Sequence, residues 1–116
     1  MTVLITGSRA YRDWPKVKHE LNRLHASTPI TLLVHGGALG ADFMGARWAE
    51  AYEVNCLRVP AKWSTHGKAA GPLRNTEMLQ WKPDRYVAFP TSDSIGTYDM
   101  IHQLNEAGIP GEVFEG

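Results

Sequence analysis

The chain has 116 residues, enough for one domain built around a single core. Twelve basic and twelve acidic residues cancel, so no net field is available for sequence-independent binding to nucleic acid. The N-terminus has no basic leader, and its apolar run is too short for a signal peptide or a membrane span. We therefore expect one domain over residues 1–116 in a cytoplasmic protein, with neither a membrane nor nucleic acid as a partner.

The predicted elements alternate between strands and helices. Residues 3–5 form a continuous apolar run that predicts the first strand. The helix after it has an apolar stripe made of Trp14, Val17, Leu21 and Leu24. ITLLVH predicts a second strand that ends at a glycine pair. The stripe of the second helix consists of Ala41, Met44, Trp48 and Ala51. VNCLRV predicts the third strand, in which we expect Cys56 to be a small core residue.

The second half of the chain continues the same alternation. PAKWSTHGKAAGP predicts a long loop, and a helix is expected around Leu73 to Trp81. DRYVAF predicts the fourth strand. A last helix from Gly96 to Ala107 presents Thr97, Ile101 and Leu104 on one side, and GEVFE follows as a short strand.

Strands that alternate with helices predict an α/β fold, a Rossmann-like open parallel sheet of about five strands with helices on both faces. If the strand order is the Rossmann-like 3-2-1-4-5, the order reverses between strands one and four. Ligands of such sheets bind beyond the carboxyl ends of the strands at that reversal. The turns that follow strands one, two and four are therefore the predicted ligand site.

These three turns contain glycine, and two of them lead into helices whose free N–H groups attract phosphate. The candidate ligand-binding residues on the turns are Gly7, Ser8, Arg9, Gly36, Gly37, Pro90, Ser94, Gly96 and Thr97. Any one turn also fits ordinary chain reversal and helix capping. Together with Lys68 and Arg74, which could pair with an anion, they favour a phosphorylated ligand. We expect Asp93, whose carboxylate would repel phosphate, to face solvent or cap the helix.

Other polar residues allow two interpretations each. Asp42 at the start of the second helix fits either a contact to a ribose hydroxyl or a favourable interaction with the helix dipole. Asn75 fits either ligand binding or local turn formation. For Trp63 and His66 a structural role is favoured over base stacking and phosphate contact. The histidines lack metal-ligand spacing, so neither a metal nor a cofactor is expected.

Four segments carry a family resemblance: GSR, HGGALGADFMGARWA, GKAAGPLRNTEML and PDRYVAFPTSDSIGTYDMI. Together they resemble the YspA/cpYpsA-related SLOG family, small Rossmann-like proteins of bacteria and phages that are related to the LOG and DprA proteins. The match spans nearly the whole chain in the same order. The resemblance implies a nucleotide or nucleotide-derived ligand in the crevice and homo-oligomers with sites near the interface, and it aligns Arg74 with the ligand-facing arginine of LOG proteins.

The enzymatic relatives, the LOG phosphoribohydrolases, carry a P-G-G-x-G-T-x-x-E motif. Pro90, Gly96 and Thr97 match this motif, whereas Met100 stands where the glutamate would be. Asp99, one step earlier, is the candidate catalytic residue if the protein is a hydrolase, but adjacent helical positions point about 100 degrees apart. Cleavage of an N-glycosidic bond needs a carboxylate, so the missing glutamate argues against an enzyme.

Three functions are therefore distinguished. The favoured one is a binding protein that senses or sequesters a nucleotide or nucleotide-derived signal without changing it. The alternative is a LOG-like hydrolase. A DprA-like role in DNA processing is disfavoured by the neutral charge. We also expect self-association, because Tyr98, Met100 and Leu104 are apolar residues that one small sheet would not cover fully.

Overall fold

The computed structural model of the protein describes residues 1–92 and 94–115. The strands are β1 (Thr2–Gly7), β2 (Leu32–His35), β3 (Asn55–Arg58), β4 (Arg85–Phe89) and β5 (Gly111–Val113). They form one sheet in the order β3-β2-β1-β4-β5, and all neighbouring pairs are parallel. The predicted fold class is confirmed, and the strand order is the Rossmann-like 3-2-1-4-5.

Helices connect the strands. They are α1 (Trp14–Ser27), α2 (Ala41–Ala51), α3 (Trp63–His66), α4 (Ala70–Leu79) and α5 (Ile95–Glu106), with a 3₁₀ turn at Gly67–Ala69. The segment expected to be a long loop therefore contains α3 and the 3₁₀ turn, and α4 begins earlier than predicted. Pro72 lies in the first turn of α4, where its missing N–H has no intrahelical partner to lose.

The continuous apolar strands are covered on both faces, as parallel strands require. Val3, Ile5 and Phe89 point to one face and pack with the buried sides of α1 and α2. Leu4 and Val34 point to the other face, where they share a cluster with residues of α4 and α5. Because consecutive strand residues alternate between the two clusters, one short apolar run supplies both halves of the core.

Three expectations about burial are wrong. Trp14 is 36% exposed and Ala51 is exposed, so the apolar stripes of α1 and α2 are shorter than their sequences suggest. Cys56 is exposed because β3 is an edge strand. Met100 and Leu104 are fully buried, which removes two of the three residues on which the expected self-association rested. Tyr98 is 39% exposed, and the oligomeric state stays a prediction.

No helix among residues 1–92 and 94–115 is long and apolar enough to cross a membrane.

Candidate functional site

A crevice of about 700 Å³ opens beyond the carboxyl ends of β1, β2 and β3, with α4 and the start of α5 as its other walls. It lies where a parallel sheet of this order is expected to hold a ligand. The predicted site residues that line it are Gly7, Ser8, Arg9, Gly36, Gly37, Asp42, Arg74, Asn75, Ser94, Gly96 and Thr97. The three turns singled out in the sequence therefore meet at one place.

Two predicted site residues are not part of the crevice lining. Lys68 is exposed in the 3₁₀ turn, and Pro90 is buried directly after β4. Pro90 therefore ends a strand, as expected of a residue without a ladder donor, but it offers no surface to a ligand. The expectation for Asp93 lies outside the described residues.

Hydroxyl groups join the turn after β1 to the turn after β4. The Oγ atoms of Ser8 and Ser94 lie 2.8 and 3.1 Å from Oγ1 of Thr91, and the backbone N–H of Thr91 donates to Ser94 Oγ at 2.8 Å. The backbone N–H of Ala10 donates to Ser8 Oγ at 3.0 Å. These short side chains fix the positions of both turns against each other.

The N–H groups of the turn after β2 are already in use. Asp42 Oδ2 accepts from the backbone N–H of Gly36 at 3.0 Å and of Ala38 at 3.3 Å. His35 Nδ1 accepts from the backbone N–H of Gly37 at 2.9 Å. This turn therefore does not offer these three N–H groups to an anion, contrary to the expected phosphate cradle at this position.

The paired glycines of this turn make room for two arginines. A Cβ atom at Gly36 would overlap Nη1 of Arg74 and lie 2.8 Å from its Cζ. A Cβ atom at Gly37 would overlap Nε of Arg58 and lie 3.0 Å from its Cδ. Two cationic side chains thus lie directly on the backbone of this turn, and Gly37, with φ of 77 degrees, also has a conformation that other residues rarely adopt.

Arg74 is held in place by a hydrogen-bond network. Its Nη1 donates to the carbonyl of Gly36 at 2.8 Å, and its Nε donates to Oδ1 of Asn75 at 3.0 Å. Asn75 in turn donates to the carbonyl of Gly96 at 3.2 Å and to Asp99 Oδ2 at 2.9 Å. The third nitrogen of the Arg74 guanidinium, Nη2, takes part in neither of the two bonds that Arg74 donates.

Asp99 is not part of the crevice lining but contacts it through Asn75. Its Oδ2 accepts from Asn75 and, at 2.8 Å, from Gln103 Nε2. Its contacts join α4 to α5 and orient Asn75, which contacts Arg74. This geometry supports a positioning role for Asp99, and the sequence offered no sign of the Asn75 contact because the two residues are on different helices.

The start of α5 faces open space. Nothing lies within 4 Å of a Cβ atom built at Gly96, and Gly96 and Thr97 both line the crevice. The first N–H groups of a helix have no intrahelical partner, and the dipole there favours negative charge. This helix start therefore has the properties expected of an anion site.

The lining also contains residues that were not placed in the crevice from the sequence, among them Arg58 and Trp63. Arg58 ends β3, and the rule that ligands lie at the carboxyl ends of strands could have identified it. Trp63, for which a structural role was favoured, lines the crevice and is 52% exposed. His66 does not belong to the lining.

Asp42 carries an unusual carboxyl group. It is 5% exposed, and its Oδ1 is buried with no hydrogen-bond partner. Burial raises the pKa of Asp42 to about 6, although its two backbone hydrogen bonds and the nearby Arg74 act in the opposite direction. Among the described residues, no three His, Cys, Asp or Glu side chains form a cluster that could hold a metal ion.

This raised pKa predicts a dependence of stability on pH. The folded protein binds the Asp42 proton more tightly than the unfolded chain does, so the free energy of unfolding falls as pH rises from about 4 to about 6. Two pKa units correspond to about 3 kcal/mol. Asp42→Asn keeps an acceptor oxygen but does not titrate. In urea denaturation between pH 4 and 7.5, wild type should lose about that much relative to the variant, and a pH-independent difference would contradict the prediction.

Known proteins resemble the chain over most of its length. The model of the YspA, cpYpsA-related SLOG family matches residues 1–66. The chain is also 43% identical over 114 residues to the Gene 61 protein of Mycobacterium phage D29, covering 93% of this chain and 91% of that protein. The chain belongs to the YspA, cpYpsA-related SLOG family. The resemblance read from the four segments is thereby confirmed. The SLOG match covers β1 to α3, which includes the two glycine turns and Arg58. No solved structure matches the chain.

Proposed function

We propose that the protein binds a nucleotide or nucleotide-derived signalling ligand in the crevice and senses or sequesters it. The observation that carries the proposal is the meeting of Arg9, Arg58 and Arg74 with the start of α5 around one cavity. Arginine forks and helix N-termini are both suited to phosphate. The SLOG family membership supports a nucleotide-related ligand.

The nucleoside part of the ligand also has suitable contacts. Trp63 offers an exposed aromatic surface on the crevice wall, and base stacking on such a side chain contributes about 1–3 kcal/mol. Leu39 and Ile95 add exposed apolar surface to the lining. A ligand with an aromatic base and an anionic group fits these two kinds of surface.

The hydrolase alternative has less support. Met100, at the position of the LOG glutamate, is fully buried, and Asp99 is hydrogen-bonded to Asn75 and Gln103. Asp42 is a carboxylate of the crevice lining, but its Oδ2 is occupied by two backbone N–H groups. We therefore favour binding without turnover.

Calorimetry tests the proposal directly. Purified protein is titrated with mono-, di- and cyclic nucleotides and with ADP-ribose, and we expect at least one of them to bind. Arg74→Ala should weaken that binding by more than about 1 kcal/mol, because a hydrogen bond between charged groups is lost. Arg47→Ala is the matched control, since Arg47 lies on α2 over the ring of Phe43 and outside the crevice.

Two results would contradict the proposal. The first is the absence of binding across the whole panel. The second concerns turnover: release of free base and ribose phosphate from the bound nucleotide, detected by chromatography, would show that the hydrolase alternative is correct. Recovery of the intact nucleotide after incubation supports a sensor or sequestering protein.

A further inference from the structure

The charges of the crevice are strongly unbalanced. Its charged lining residues are Arg9, Arg58, Arg74 and Asp42. The ion pairs found in residues 1–92 and 94–115 involve none of these arginines. The carboxyl group of Asp42 is committed to the turn after β2 through its Oδ2. A chain with no net charge therefore concentrates positive charge at one site.

The arginines come from different parts of the chain. Arg9 follows β1, Arg58 ends β3 and Arg74 belongs to α4. Burial lowers the pKa of Arg74, the nearby Asp42 raises it and the charge of Arg9 lowers it, so both groups lie within electrostatic range of Arg74. Arg58 lies across Gly37 and, together with burial, lowers the pKa of His35 at the end of β2. Arg58 thus approaches the crevice from the edge-strand side of the sheet.

The arginines of the crevice lie at separate points along the turn after β2. A guanidinium that binds phosphate through its fork uses two acceptor oxygens. Arg9 and Arg58 each present a fork, Arg74 adds its Nη2, and the start of α5 adds backbone N–H groups. Because Arg74 lies against Gly36 and Arg58 against Gly37 in a crevice of about 700 Å³, the two arginines meet a ligand at separate points along this turn, which favours two phosphoryl groups over one.

We propose that the ligand carries two linked phosphoryl groups and that Arg58 binds the second of them. This inference rests on the proposed function for the identity of the rest of the ligand. Arg9, Arg74 and the start of α5 then bind the first phosphoryl group, on the side of β1 and β4. Arg58, seated on Gly37, binds the second on the side of β3. The paired glycines let both arginines pass close to the same turn.

Phosphate and pyrophosphate test the inference without a nucleoside. Trp63 lines the crevice, so the shift of its indole N–H signal in NMR can follow each titration at equal pH and ionic strength. Wild type should bind pyrophosphate at least tenfold more tightly than phosphate. Arg58→Ala should reduce the affinity for pyrophosphate at least tenfold and change the affinity for phosphate less than twofold. Arg47→Ala should change neither.

The outcomes separate this inference from the proposed function. Equal affinities for the two anions in wild type, or an equal loss of both in Arg58→Ala, would overturn it, even if a nucleoside monophosphate bound in calorimetry. Selective loss of pyrophosphate supports it, even if every nucleotide of the panel failed. Because Arg58 is exposed on an edge strand, the variant should fold normally, and its amide spectrum reports this in the same samples.

Discussion

Met100→Glu is expected to destabilise the protein by about 5 kcal/mol at pH 7. Met100 is fully buried in the cluster that contains Leu4 and Val34, so a carboxylate at this position would be buried without a cationic partner. Such burial raises the pKa of a glutamate by up to 3–5 units, so the folded variant keeps its proton at pH 7, which costs up to about 3.7 kcal/mol relative to an unfolded pKa of about 4.3. Burial of the neutral carboxyl group adds about 1–3 kcal/mol. A loss of this size approaches the whole stability of a small domain, about 5–15 kcal/mol.

The pH dependence identifies the cause of that loss. The raised pKa means that the folded variant binds the proton more tightly than the unfolded chain does. Its free energy of unfolding relative to wild type therefore falls from about pH 4, where an unfolded glutamate begins to ionise, up to the raised pKa. Met100→Gln, which is polar but uncharged, should be destabilised by an amount that does not change with pH.

Urea denaturation of three variants checks this prediction. Ile95→Glu introduces the same side chain at an exposed position in the first turn of α5 and should change stability by no more than about 0.5 kcal/mol. If Met100→Glu were as stable as Ile95→Glu, position 100 would be accessible to solvent, and the reason given for disfavouring a LOG-like carboxylate would be wrong. Neither glutamate variant should gain activity on nucleoside monophosphates.

Gly40→Ala has the second largest expected effect. Gly40 precedes α2 with φ of 76 degrees and ψ of −126 degrees, a backbone conformation that costs other residues about 1–3 kcal/mol. A Cβ atom there would also overlap the carbonyl oxygen of Ser8 and lie 2.8 Å from that of Arg9. Because both obstacles are backbone atoms, neither can move without displacing the turn after β1. We expect a loss of about 3 kcal/mol or more.

Gly108→Ala separates the two contributions. Gly108 has φ of 75 degrees, but nothing lies within 4 Å of a Cβ atom built on it. This control should lose only the cost of the backbone conformation, about 1 kcal/mol. The two variants are compared by urea denaturation followed by tryptophan fluorescence. Equal losses would mean that the close contact between the turns after β1 and β2 does not contribute, and that the crevice is looser than its geometry indicates.

Periodicity and turn residues were sufficient to predict the five strands and the three longest helices, although not α3 or the start of α4. Val3, Leu4 and Ile5 are apolar without alternation, which is typical of a parallel strand covered on both faces. The carboxyl-end rule then located the crevice, because it depends only on strand order and on the turns after β1, β2 and β4. These features follow from neighbouring residues and from general rules of chain connection, so one sequence contains them.

Tertiary packing decided the chemistry of the crevice. The sequence places Arg58, Arg74 and the glycine pair far apart, and only the fold lays the two arginines on consecutive glycines. Packing also decided the roles of Asp42 and Met100. The carboxylate of Asp42 accepts hydrogen bonds from N–H groups that were expected to bind phosphate. Met100 lies on the side of α5 that is buried in the core. Long side chains reach across elements, and burial depends on which elements pack together. These quantities arise from contacts between distant segments, so a local pattern does not encode them.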